Sequence, residues 1–318
     1  MRGRGPCATL TTMKTPNFFA ESGLERASEK RADEGWHAEL LTAEETLFVP
    51  IWRTRSFIDH SNAETPQAAH LNAAEIAELT REGVQFVFLG YRNGVPYFSA
   101  DLSHIEDPSA HDLLTDKGEF TDIRDVGLEL PREEGGILAY ARALAHWHRT
   151  HRFCGRCGAE TEPKSAGHVR QCTNPDCGAE HFPRTDPAVI MLVSLGDKIC
   201  LARKYGWPED RYSVLAGFVE PGETPEGAVV REVMEEVGLP VTNVRYHSAQ
   251  PWPFPANLML GYFAEAQSEN IAIDDDEIEH ARWFTRAELK PEALAYFEKP
   301  HSVSIARRLI ADWVVGNF

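Results

Sequence analysis

Four cysteines within 24 residues, Cys154-Gly-Arg-Cys157 and Cys172-Thr-Asn-Pro-Asp-Cys177, set the first limit on what this chain can fold into. Two short pairs separated by 14 residues place four thiolates on two tight turns, the donor set of a closed tetrahedral zinc site. The second pair is spaced by four residues instead of two, which loosens that turn without removing a ligand. A four-cysteine site leaves no coordination position for water or substrate. Cys154, Cys157, Cys172 and Cys177 therefore predict one structural Zn2+ per chain and a ribbon over residues 151–184. Six Lys/Arg against four acids between Arg149 and Arg184 make that ribbon only mildly positive, a poor nucleic-acid clamp. Clustered thiols point to a reducing, cytoplasmic setting; isolated Cys200, inside KICLA, reads as a core residue and Cys7 stands alone near the start.

The ribbon divides 318 residues into two flanks, each long enough for its own core. A formal net charge of −17 disfavours a protein whose main work is tracking a nucleic-acid backbone, and no apolar run approaches the ~18 residues of a membrane span. No membrane partner is expected. Residues 1–12 carry Arg2 and Arg4 without an apolar stretch and read as a disordered extension ahead of Met13. Residues 13–150 read as a mixed α/β domain with a helical LNAAEIAEL (71–79) and strands VQFVFLG (84–90) and VPYFSADL (95–102). It ends in a helix over 133–151 on which Ile137, Ala141, Leu144 and Trp147 share one face, while His146, His148 and His151 read as the polar face. From 185 to 318 the pattern alternates: strands over 187–195, 198–203, 212–219, 241–249 and 257–266, and helices over 225–237, 285–292 and 301–314. No internal repeat is visible.

The stretch GFVEPGETPEGAVVREVMEEVGL (217–239) crowds six glutamates and one arginine into 23 positions. Thr224 caps a helix that begins at Pro225 and ends before Gly238. Val229, Val233 and Val237 make its buried stripe, and Glu232, Glu235 and Glu236, related by i+3 and i+4, share the adjacent face. A solvated acidic face is the plain reading of such a triple. The loop before it, with two glycines and a proline between a strand and the helix, has the layout that brings backbone and carboxylates up to a ligand, and carboxylate oxygens suit a hard divalent cation.

Gly217, Glu223 and Arg231 through Leu239 match G-x5-E-x7-R-E-U-x-E-E-x-G-U at every defined position, so the stretch resembles the Nudix box. The resemblance implies an α/β/α Nudix sandwich that hydrolyses a nucleoside diphosphate linked to another moiety. It implies two to three Mg2+ or Mn2+ ions held by Glu232, Glu235 and Glu236, with Glu223 and Arg231 pairing to fix the loop on the helix. A fourth carboxylate is implied six residues before Trp283, which is Glu277, with Asp276 and Glu279 as competing neighbours.

SAQPWPFPANLM (248–259) alternates three prolines with Trp252 and Phe254. It reads either as a loop packed for area or as a wall that holds a planar ring. Gln250, Pro251, Trp252, Pro253, Phe254 and Pro255, with Leu258 and Met259, resemble the SQPWPFPxxLM motif of the NADH pyrophosphatase branch of Nudix hydrolases, with Ala249 as an extra residue. The ribbon and NFFAESGLERASEKR near the start extend the resemblance. It implies hydrolysis of NADH, and less readily NAD+, to nicotinamide mononucleotide and AMP, removal of NAD caps from RNA in some members, a homodimer, and stacking of the substrate base on Phe182 and Phe218. The alternatives are a broader ADP-ribose or dinucleotide diphosphate hydrolase, and an inactive nucleotide-sensing module, which the complete glutamate set opposes.

Overall fold

The computed structural model describes residues 15–62, 64–79, 84–273, 276–289 and 303–317. Cys7, the 1–12 extension and part of the helix expected over 285–292 lie outside them; residue 285 ends a strand, and 286–289 form turns. The first sheet contains β1 (Leu47–Trp52), β2 (Arg55–Asp59), β3 (Gln67–Ala68), β4 (Gln85–Arg92), β5 (Val95–Asp101) and β6 (Glu119–Thr121), in the order β3-β2-β1-β5-β4 with β6 also on β2. Strand alternation sorts its residues. Val49, Ile51, Val87 and Leu89 meet the long helix Arg132–Thr150, and Phe48, Phe88 and Phe98 meet the short helix Ala73–Leu79. Ile137, Ala141, Leu144 and Trp147 are all buried.

His148 departs from the polar-face expectation. It is buried between the long helix and the ribbon, with Nε2 2.8 Å from the Gly167 carbonyl and Nδ1 3.0 Å from Arg170. Burial holds its pKa at about 4, so the neutral ring donates to Gly167 and accepts from Arg170. The ribbon is a three-stranded sheet of β7 (Thr161–Lys164), β8 (Val169–Cys172) and β9 (Glu180–His181).

The second large sheet contains β10 (Asp186–Leu195), β11 (Lys198–Lys204), β12 (Leu215–Phe218), β13 (Val241–Trp252), β14 (Asn257–Ala266) and β15 (Ile278–Thr285), in the order β13-β14-β10-β11-β15 with β12 also on β10. Val189, Met191 and Val193 of β10 pack on the helix Pro225–Val237, and Ile190 and Leu192 pack on the helix Ile305–Val315. That is an α/β/α sandwich. Val229, Val233 and Val237 are fully buried, each contributing about 1.5–3 kcal/mol by leaving water.

The two large sheets repeat one topology. In each, the first strand pairs antiparallel with the second and parallel with the fifth, the fourth and fifth pair antiparallel, and the sixth joins the second. The third segment in each copy bridges the first two strands, at Leu71 with Phe48 and at Ser213 with Ala202, and the next described helix precedes the fourth strand. An internal repeat is therefore present, carried by strand pairing and not by residue identity. Between the copies, Phe19 packs its ring 6.3 Å from Trp252 and 6.1 Å from Phe254, and Asn17 donates to Ser248 Oγ at 3.0 Å and the Ala249 carbonyl at 2.8 Å. No helix among the described residues is long and apolar enough to cross a membrane.

Candidate active site and metal centre

Local chemistry fixes the acidic helix. The Thr224 hydroxyl accepts from the Gly227 N–H at 3.1 Å, Pro225 opens the first turn, and Gly238 closes the last with a left-handed φ of 65°. From this helix Arg231 reaches back over the loop. Its Nε and Nη2 donate to the two oxygens of Glu223 at 2.7 and 2.8 Å, and Nη2 also donates to the Phe218 carbonyl at 2.9 Å. Its Nη1 donates to Glu232 at 2.8 Å and Glu235 at 2.9 Å. One guanidinium thus binds the loop and orients two of the three helix carboxylates. Its hydrogen bonds hold the Glu223 carboxyl at about 2, below the ordinary carboxylate range. That contribution to stability is complete above the ordinary range and is lost only as pH falls toward about 2.

Strand register collects the remaining residues at one end of the second sheet. Ala188 pairs with Phe218, and Asp186 pairs with Asn257 at the start of β14, opposite Trp252. β11 runs antiparallel to β10, so its last residue, Lys204, reaches the same end and pairs with Ile278, next to Glu277. Lys204 Nζ holds the Glu277 carboxylate at 2.7 Å, and that ammonium lowers the Glu277 pKa. Glu279 pairs with Arg203 at 3.3 Å, and Asp276 is exposed. Glu232, Glu235 and Glu236 share a helix face, but among the described residues the structure does not gather their carboxylates around one point, with or without Glu277. Lys204 was not singled out in the sequence; only the pairing of β11 with β15 exposes its role.

The proline-aromatic hairpin divides by residue. Gln250 is fully buried, its amide donating to the Val303 carbonyl at 2.8 Å and the Phe18 carbonyl at 3.2 Å and accepting from the Ile305 N–H at 2.7 Å. It holds the backbone of three segments together, a structural role the sequence did not suggest. Pro253 is buried and its carbonyl accepts from Arg142 Nε at 2.8 Å. Phe254 lies between Arg124 and Arg142 and packs on the first core, while Pro255 is exposed. Pro251 and Trp252 line a cavity of ≈ 210 Å3 with Phe19, Tyr140 and Asn257, smaller than the roughly 300–1,000 Å3 that takes a whole drug-sized ligand. Phe182 and Phe218 are exposed. The break in β13 pairing falls at His247, between Tyr246 and Ser248, whereas the extra residue Ala249 keeps its pairing with Leu260.

In the ribbon, Cys154 and Cys177 Sγ lie 3.9 Å apart, Cys157 and Cys172 3.4 Å, and all four within 4.8 Å of one another. A tetrahedron with Zn–S bonds of about 2.3 Å has edges of about 3.8 Å, so the thiolates fit structural zinc. The Asn174 carbonyl accepts from the N–H groups of Cys177 and Gly178, closing the longer turn.

Family models match in three consecutive blocks: an NADH pyrophosphatase-like rudimentary NUDIX domain over 45–147, an NADH pyrophosphatase zinc ribbon domain over 149–182 and a NUDIX domain over 184–305. The human protein named NAD-capped RNA hydrolase NUDT12 is 33% identical over 342 residues, spanning 95% of this chain and 74% of that protein. This chain is a Nudix hydrolase of the NADH pyrophosphatase type. The protein named NAD-capped RNA hydrolase NudC from Mycobacterium bovis is 43% identical over 242 residues, 71% of this chain and 74% of its own. Nudix hydrolase 19, chloroplastic, from Arabidopsis thaliana is 37% identical over 276 residues, 79% and 63%.

The first sheet is thus the rudimentary Nudix copy. Where the box helix would stand, Glu75 of Ala73–Leu79 accepts from the Asn72 N–H at 2.9 Å and pairs with Lys117, so it serves the helix start. In the complete copy the residues fit a divalent cation. The Glu232 carboxylate lies so close to Gly217 that a Cβ there would stand 1.9 Å from its carboxyl carbon, and Glu236 is only 3% exposed. Burial and then the Glu236 charge push the Cys200 thiol up to about 12, leaving it an inert core group under the acids. Hard oxygen donors in this number suit the divalent ion that a NUDIX domain implies. Gly217→Ala is expected to drive Glu232 off Arg231, raising the Mg2+ concentration needed for half-maximal activity severalfold and costing about 1–3 kcal/mol of stability. An unchanged metal titration would show that Glu232 does not depend on that close approach.

Proposed function

We propose that this Nudix hydrolase cleaves the diphosphate of NADH, and less readily NAD+, to nicotinamide mononucleotide and AMP, with two to three Mg2+ or Mn2+ ions per site. The observation that carries this reading is the arrival at one sheet end of a complete glutamate-bearing box, clamped by Arg231, and the Trp252 hairpin. A bound divalent cation would neutralise diphosphate charge and acidify a water. Glu232, Glu235, Glu236 and Glu277 would hold it, Glu277 in exchange for its contact with Lys204. Glu223 and Arg231 keep the loop in place, and Glu236, buried beside the metal-binding face, is the candidate acceptor for the proton of the attacking water. Phe182 and Phe218 offer faces for stacking bases, and Trp252 with Pro251 walls one ring of the substrate. Exposed Val230 and Met234 on the box helix support a homodimer, and four clustered thiols support a cytoplasmic setting.

Relatives named as NAD-capped RNA hydrolases favour a second reading, cleavage of the same bond at an RNA 5′ end. The test is product analysis by mass spectrometry with Mg2+ and equal NADH, NAD+ and ADP-ribose in competition, repeated with a NAD-capped RNA. Preferential release of reduced nicotinamide mononucleotide and AMP is expected. Preferential loss of ADP-ribose defeats the NADH reading, and more efficient, steeply salt-dependent cleavage of capped RNA transfers the function to the second.

A further inference from the structure

Beyond the tip of the substrate hairpin lies a basic pocket that neither the box nor the ribbon uses. In a chain of net charge −17, Thr54, Arg124, Arg142, His146, Arg149 and Phe254 line a space of ≈ 410 Å3. Arg142, His146 and Arg149 stand at i, i+4 and i+7 of the long helix, so one face delivers all three. Arg142 is 7% exposed, with its guanidinium 4.4 Å from the Phe254 ring centre, and its Nη1 has no hydrogen-bond partner among the described residues. A buried cation with an unused donor favours an anion.

The surrounding acids do not cancel this charge. Asp122 pairs with Arg124 at 2.8 Å, and Asp125 lies near that same arginine. Arg142 feels Asp122 only at longer range, and among the described residues neither Arg142 nor Arg149 makes an ion pair. Burial, and then the charges of Arg149 and Arg142, hold His146 below its ordinary value. Thr54 sits on the rim in a two-residue turn between β1 and β2 where it and Arg53 both adopt positive φ, 72° and 47°. Asn-Gly is the ordinary choice for such a turn, so the strain falls on a residue that lines the pocket.

We propose that this pocket binds a phosphate of an RNA chain whose NAD-capped 5′ end occupies the Nudix site. The proposal rests on the diphosphate-cleavage reading above. Free NADH has two phosphates, both engaged where the bond is cleaved, so a phosphate in this pocket belongs to a longer substrate. The hairpin tip that carries Phe254 joins Trp252 to Asn257, whose partner Asp186 is two residues from Ala188, the partner of Phe218 in the box. The pocket and the bond to be cleaved therefore flank one hairpin. Its arginines separate capped RNA from the free dinucleotide by one extra phosphate contact.

The experiment uses the full chain with Mg2+ and compares kcat/KM on a short NAD-capped RNA, NAD+ and NADP+ across a salt series. Arg149→Gln, at an exposed position, is expected to lower efficiency on capped RNA relative to NAD+ by roughly threefold to tenfold. It should also flatten the salt slope by about 0.7. Arg142→Lys, which keeps the charge and loses the planar fork, should act in the same direction. In a metal-free arm, a 5′-phosphorylated, uncapped RNA should bind Arg149→Gln more weakly than wild type, so the pocket is read without turnover. Equal losses on RNA and NAD+ would assign the arginines to packing the hairpin, and a loss confined to NADP+ would assign the pocket to a ribose phosphate. Unchanged RNA binding and cleavage would likewise overturn the proposal. Arg149-dependent RNA binding in a protein that never cleaves the cap would support the pocket and sink the cleavage reading.

Discussion

Glu236→Gln is expected to bind NADH and turn it over roughly 10²–10⁴-fold more slowly than wild type. The amide has nearly the shape of the carboxylate, so Val233 and Val237 beside it keep their packing while a carboxylate lying almost wholly out of solvent is removed. Removing it also relieves repulsion from Glu232 and Glu235 on the same face, so thermal stability should hold or rise. That combination, lost turnover in an undamaged fold, distinguishes a group that meets the reacting atoms from one that supports the helix. Single-turnover release of AMP, NADH binding and thermal unfolding together provide the check. Turnover within tenfold of wild type would remove Glu236 from the chemistry. Equal and negligible turnover in both proteins, with binding intact, would make the molecule a nucleotide sensor.

What could be read in advance follows the range of the forces involved. The box helix was legible to its end residues because its limits are local: a hydroxyl at Thr224, a ring at Pro225 and a left-handed glycine at Gly238. β13 was read only to residue 249 and runs to Trp252, because pairing with β14 carries it through the unfavourable Pro251. The repeated topology left no trace in the residues: alternation says which face is buried, while the choice of neighbouring strand is made across dozens of residues. Gln250 is the sharpest case. A polar residue inside an aromatic motif looks like a ligand contact, yet its partners Val303 and Ile305 lie more than fifty residues away. The hairpin's two readings divide in the same way, Phe254 packing on the first core while Trp252 also lines a cavity.

Cys157→Ser should abolish the single zinc and lower the thermal unfolding temperature by more than any surface substitution in the chain. Cys157 is exposed, whereas Cys154 and Cys172 are buried, so replacing it removes almost no apolar packing. Any large loss must then pass through the metal. Structural zinc sites release about 10–16 kcal/mol on binding, comparable with or greater than the whole stability of a domain at about 5–15 kcal/mol. A three-stranded ribbon has little core with which to replace it. The damage should spread along a defined route. Arg170 in β8 donates to Thr161 at 2.7 Å and to buried His148 at 3.0 Å, tying the ribbon to the long helix, and Arg142 on that helix holds the Pro253 carbonyl of the substrate hairpin. Metal analysis with unfolding curves, with and without chelator, checks this. One retained zinc per chain with an unchanged unfolding temperature would refute a four-thiolate site. Zinc loss with unaltered unfolding would show that the ribbon is held by its contacts with the helix instead.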